Sequence, residues 1–234
     1  MRYIHRVALK EKFVASGLYT YYLDGQPTGA VEHWSIHEQT DSALFVRADY
    51  DARNVDGTSL LLQALVNPEH TTNAIERFDL YFYTPTLEAK AYYSFFDNYV
   101  QVGRAINKGQ RIQTEVAIDE NVVVNPLSKA LQNFVLWLAQ KSGEAMPVLS
   151  PNLHVENAEQ TLALEKQICS AAFVDSEMLQ IGDKTYPTRR YVLECENRSS
   201  ANFWFDDDDI LLRHECQNQS VSLSRYSRRP PVTQ

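Results

Sequence analysis

"AIERFDLYFYTPTLEAKAYYSFFDNYVQVGRAINKGQRIQTEVAI", residues 74–118, decides the fold class. Phe78, Leu80 and Phe82 fall on one face of an extended chain, and Arg77, Asp79, Tyr81 and Tyr83 on the other. A period of two marks a strand with one face buried. Asp97-Asn98 and Lys108-Gly109 separate runs of strand length, and such pairs reverse a chain tightly. The stretch predicts an antiparallel meander.

The pattern continues on both sides. "GLYTYYLDGQPTGAVEHWSIHE" (17–38) reads as a hairpin turning over Asp24–Gly29, because Gly, Asp and Pro supply turn conformations. "DSALFVRADYDAR" (41–53) is a third strand. Residues 58–67 hold a short apolar run that fits a buried strand or a short helix, and periodicity cannot choose between them. Strands return after residue 160, through "TLALEKQICSAAFV", "EMLQIGDKTYPTRRYVLECE", "ANFWF", "ILLRHE" and "VSLSRY".

One segment breaks the alternation. "NPLSKALQNFVLWLAQKSG" (125–143) places Leu127, Ala130, Leu131, Phe134, Val135 and Leu138 at helical spacing. Asn125 suits the N-cap, Pro126 the first turn and Gly143 the position past the end. A helix over about 126–141 must dock its apolar stripe against the sheet. The expected architecture is all-β with one central helix: a strongly curved antiparallel meander forming a β-roll or half-barrel around it. Residues 1–227 form one domain, with halves 17–124 and 160–227, and 228–234 form a frayed tail. "RFDLYF" (77–82) echoes "RYVLEC" (190–195), which leaves open an old duplication of a sheet unit.

The run Asp206–Asp209 sits between Phe203-Trp204-Phe205 and Ile210-Leu211-Leu212. Four residues between two strand ends make a hairpin loop, and a calcium loop needs a different ligand spacing. The run is read as a solvated turn. Net charge is −8, from 30 acidic and 22 basic residues, which argues against a general nucleic-acid binder. No apolar run approaches membrane-spanning length and no signal segment is visible, so a cytoplasmic location is expected, or a periplasmic one if a leader has been removed. Cys169, Cys195 and Cys216 are widely spaced and read as inert thiols.

Chemistry is sparsely signposted. His33 and His37 would stand about 13 Å apart on a strand and cannot chelate one ion. His5, His70, His154 and His214 lack a nucleophile pattern nearby, and there is no Gly-rich phosphate loop. Glu32, Trp34 and Ile36 share a face, where Glu32 is either a polar group in an apolar cavity or a rim residue. No metal and no cofactor are expected.

The segment "TYPTRRYVLECENRSSANFWFDDDDILLRHECQNQSVSLSRY" (185–226) carries an aromatic strand ending in Trp-Phe-Asp, a turn, an apolar strand and a last strand ending in an aromatic. It resembles the closing strands of bacterial domains of unknown function grouped as glycolipid-binding proteins with a spiral β-roll. Those domains are similar in turn to the curved sheets of periplasmic lipoprotein carriers. The resemblance implies a bent sheet enclosing an apolar hollow, and it brings no catalytic residues.

The expected function is non-catalytic binding of a lipid-like or other apolar small molecule. The pocket should measure roughly 300–1,000 Å³, be lined by Tyr, Phe and Trp, and hold few ionisable groups. Candidate ligand contacts are Glu32, Trp34, Arg77, Tyr81, Tyr92, Arg190 and Trp204. Arg77 and Arg190 would hold an anionic head group, or else pair with nearby acids. Two alternatives stand: an enzyme using Glu32 or a His in the same cavity, and an interaction module whose core is filled. No nucleic-acid partner is expected, and a homodimer is left open.

Overall fold

Alternation along residues 74–118 does produce strands, and they are part of one continuous sheet. The computed structural model describes residues 11–40, 43–67, 75–119, 122–141 and 144–229. Its first half runs β1 (Lys12–Leu23), β2 (Gln26–Thr40), β3 (Ala43–Ala52), β4 (Thr58–Val66), β5 (Ile75–Tyr83), β6 (Glu88–Phe95), β7 (Tyr99–Ile106) and β8 (Ile112–Ala117). After the two-residue β9 (Val123–Val124), a 3₁₀ turn (Lys129–Leu131) and helix α1 (Phe134–Gln140), the second half follows. It comprises β10 (Met146–Pro151), β11 (Leu164–Ile181), β12 (Lys184–Cys195), β13 (Ala201–Phe205), β14 (Leu211–Cys216) and β15 (Gln219–Arg228). Strand order across the sheet is β8 through β1, then β15 through β9, so the halves meet where β1 pairs with β15. All pairs are antiparallel except β9 with β10, and the two edges do not pair with each other.

The register explains the core. Leu223, Tyr19, Glu32, Tyr50, Leu60, Phe82 and Ala89 are successive cross-strand partners on one face. Beside them run Gly17, Trp34, Ala48, Leu62, Leu80, Ala91 and Arg104. Phe78, Leu80, Tyr93 and Val100 on this inner face are wholly buried. β6 and β10 have ten strands between them, which in a flat sheet would separate them by roughly 50 Å. Yet Tyr93 in β6 donates to Leu162 O at 2.6 Å, in the loop that follows β10. Arg104 in β7 donates to Glu159 O and Thr161 O at 2.7 and 3.0 Å. The sheet therefore rolls over, and the loop after β10 lies against its inner face.

Four sequence expectations change in detail. The first hairpin turns over Asp24 and Gly25 alone, with φ of 51° and 75°, as a two-residue turn requires. The extra residues around Gly29 (φ 89°) form an irregularity inside β2. Residues 58–66 are strand β4; its outward positions include the half-buried Leu61 and Leu65, so apolar residues fall on both faces and the alternation is masked.

The expected helix over 126–141 breaks. Leu127 adopts φ 74°, and a 3₁₀ turn and the short α1 replace the first two helical turns. The cause is tertiary: the Lys129 N–H, which a helix begun at Pro126 would bond internally, donates instead to Glu32 Oε1 at 2.9 Å. Ser128, not Asn125, is the cap, accepting from Ala130 N at 3.1 Å. The stripe itself is correct, since Leu131, Phe134, Val135 and Leu138 are all buried. Gly143 and the tail from residue 230 lie outside the described residues.

Cys169 and Cys195 are bonded to each other, which corrects the reading of three free thiols; Cys216 alone is free. The two are direct partners across β11 and β12, a register that spacing along the chain does not reveal. The aspartate run is a turn. Asp206 Oδ1 accepts from Asp208 N and Ile210 N at 3.0 and 2.9 Å, and Asp209 takes φ 60°. It is less solvated than expected, because Asp206 is buried; Arg189 bonds Asp206 O and Asp209, and Arg228 pairs with Asp208.

Phe134→Ala should cost about 3–5 kcal/mol in denaturant unfolding, as truncation of a buried aromatic does. A loss below about 1 kcal/mol would place α1 outside the cooperative core.

Candidate functional site

The outward positions of β5, β6 and β7 build a cleft. Register sets Tyr81 beside Lys90, Asp79 beside Tyr92, and Tyr92 beside Gly103. Gly103 is required here, since a Cβ would fall 1.8 Å from the Tyr92 ring. Tyr92 thus lies flat across the β7 backbone, and its hydroxyl accepts from Gln113 Nε2 at 2.8 Å. The Arg111 guanidinium stacks 4.0 Å from the Tyr92 ring centre, and Lys90 Nζ lies 5.6 Å from that of Tyr81. Such cation–aromatic pairs hold a charge over an apolar surface.

The cleft encloses about 460 Å³. Its size falls in the expected range, but its chemistry does not: the side chains of Arg77, Lys90 and Arg111 line it against one carboxylate, Asp79, while the guanidinium of Arg104 turns to the inner face. It also opens on the outer face rather than into a hollow. Arg77 is forked on Asp79, with Nη2 at 2.9 and 3.1 Å from the two oxygens. Lys90 is 3.3 Å from Glu88 in an exposed pair. Arg104 is held inward by backbone carbonyls. Arg111 makes the Tyr92 stack and, among the described residues, no ion pair.

Glu32 and Trp34 lie elsewhere, on the inner face. Glu32 is 1% exposed and accepts three hydrogen bonds: Tyr21 OH at 2.7 Å, Ser128 Oγ at 2.6 Å and Lys129 N at 2.9 Å. Burial raises its carboxyl above the usual range despite those donors. Its visible role is to fasten the 3₁₀ turn to β2. Trp34 packs over Gly17 and stacks on Tyr19 at 5.9 Å. Nearby on β14, burial and the Lys129 charge lower His214 to about 3.

Arg190 and Trp204 form a third place, facing each other across β12 and β13. Arg190 forks Asp175 at 3.1 Å through both nitrogens, and the Trp204 indole donates to Glu177. Both arginines suggested for an anionic head group are therefore paired with acids.

The seven candidates thus separate into three sets, of which Arg77, Tyr81 and Tyr92 share the cleft. Lys90, Gly103, Arg111 and Gln113 complete it and were not singled out from sequence. A glycine inside a strand pattern signals close approach of another group, and could have flagged Gly103. Arg111, beside a turn, carries no such signal. Among the described residues no three His, Cys, Asp or Glu side chains converge as a metal site, and no helix is long and apolar enough to cross a membrane. No protein-family model matches the chain, and no curated protein matches it in sequence.

The His214 environment fixes a pH dependence. Its folded pKa of about 3 lies below the ordinary 6.5, so the unfolded chain takes up a proton first as pH falls. Stability should decline from about pH 6.5 downward, and His214→Gln should flatten that decline. Urea midpoints of both proteins between pH 7 and pH 5 test this; parallel curves would show that His214 titrates normally in the fold.

Proposed function

We propose that the protein is a non-catalytic binding module that seats an anionic, amphipathic, lipid-like small molecule in the outer cleft of β5–β7. One observation carries this reading: Arg111, a guanidinium without an acidic partner among the described residues, is fixed on a tyrosine face within a cationic cleft of an acidic protein. A cation so placed attracts an anionic head group, locally against the overall charge of −8. Tyr81 and Tyr92 offer apolar ring faces to the adjoining carbon chain. Tyr83, half exposed on the same side of β5, extends that surface. The packed inner face supports binding on the outside in preference to a hollow. The Cys169–Cys195 bond supports a non-reducing compartment, since such bonds persist where thiols are not kept reduced.

Calorimetric titration with dodecyl phosphate should show saturable binding, and dodecyl maltoside, which is neutral, should not bind. Arg111→Ala should weaken dodecyl phosphate by roughly 10-fold or more, the scale of one hydrogen bond to a charged group. Gly103→Ala should also weaken it by displacing Tyr92. Equal binding of both amphipaths, or no effect of Arg111→Ala, would remove this cleft as the site.

A further inference from the structure

The two edges of the sheet are unlike. β9 has two residues, both buried, and is the kind of short strand that blunts an edge. β8 has six residues, of which five are exposed, and among the described residues only β7 pairs with it. It carries no Pro, no Lys and no bulge: its register with β7 runs unbroken from Arg104–Ile112 to Tyr99–Ala117. β8 thus lacks the proline, lysine and bulge that protect many edge strands and carries one charge, Glu115, and its outer row of backbone N–H and C=O groups is a template for another strand.

The sequence of β8 selects the partner. Ile112, Thr114 and Val116 face inward, beside Arg104, Val102 and Val100 of β7, and Gln113, Glu115 and Ala117 face outward. An antiparallel pair of two such strands must oppose residues of the same face, so a twofold axis passes through one residue and its own copy. An axis at Glu115 would set like charges against each other. An axis at Gln113 would oppose Val116 and Ala117 to Gln110 and Gly109, which are not strand, and would draw Arg111 toward the second copy's Glu115 and off Tyr92. At Thr114 five of the six residues of the strand are matched within it, and only Ala117 falls opposite a residue outside it, Arg111. Ile112, 41% exposed, then covers Val116 of the second copy, and Gln113, an amide donor, meets its Glu115 carboxylate.

We propose that the protein forms a twofold-symmetric dimer in which β8 pairs antiparallel with β8 of a second copy about Thr114. The two sheets become one across this edge. The outer clefts, which include Arg111 immediately before β8, then lie on the same face, one on each side of the axis. Nothing in this pairing depends on what occupies the cleft.

Sedimentation of the ligand-free protein over a concentration series should show the mass rising from one chain toward two. Ile112→Lys, a charge of the kind that protects natural edges, should hold it at one chain with the melting temperature of dilute wild type unchanged. In a Cys216→Ser background, Thr114→Cys should form a covalent dimer under mild oxidation, because residues at the axis stand within about 5.5 Å of their copies. Gln113→Cys and Glu115→Cys should cross-link far more slowly. Three results would overturn the proposal: a wild type monomeric at every concentration, a dimer indifferent to Ile112→Lys, or cross-linking faster at 113 or 115 than at 114.

Discussion

A rolled sheet whose edges never meet has an inner face covered in part by irregular chain, and irregular chain brings backbone polar groups into the core. Those groups must be hydrogen-bonded there or destabilise the fold. Two buried side chains of opposite charge type solve this, one on β7 and one on β2. Arg104 has donors only, and gives them to the carbonyls of Glu159 and Thr161 in the loop after β10. Glu32 has acceptors only, and takes the Lys129 N–H and Ser128 hydroxyl of the 3₁₀ turn. Each charge is acceptable in the core because the chain it fastens supplies its partners, and each covering segment is held because the charge is there. Removing either partner would leave the other buried and unpaired, which costs more than the pair contributes.

The split between what the sequence disclosed and what it hid follows the range of the interactions. Strands were legible where one face is wet: Phe78, Leu80 and Phe82 against Arg77, Asp79 and Tyr81 is a local signal. β4 was ambiguous because it carries leucines on both faces, Leu61 and Leu65 half-buried on the outer one. The apolar stripe of 131–138 was legible, but the break at Leu127 was not, since it is forced by Glu32, nearly a hundred residues away. Pairing of Cys169 with Cys195 needs the β11–β12 register, which depends on the bulge between Phe173 and Asp175. For the site, the residue types were right and the grouping was not. Arg77, Tyr81 and Tyr92 stand together because their strands are consecutive. Glu32 and Arg190 were read with them only because their side chains suit the same chemistry.

The alternation that packs the inside also composes the outside. Every residue sent inward from β5 and β6 leaves a neighbour facing out, and on these strands the outward set is Arg77, Asp79, Tyr81, Lys90, Tyr92 and Ser94. A buried apolar interior and a polar, aromatic exterior are therefore one pattern. Glu32, the natural candidate for acid–base work, is committed to three donors and serves the architecture instead.

Gly103 shows that the cleft is organised beyond what alternation requires. Glycine in a strand interior costs about 0.5–1 kcal/mol relative to alanine, so an ordinary surface position would not favour it. Here its missing Cβ is the space that the Tyr92 ring occupies, and the ring restores contacts that the glycine lacks. The ring is then fixed from three sides: by the β7 backbone beneath, by Gln113 at its hydroxyl and by Arg111 on its face. A tyrosine free on a strand surface would lose rotamer freedom when a ligand arrived, and Tyr92 has lost it already. Less ordering would then remain to oppose the binding proposed for this cleft, few as its contacts are.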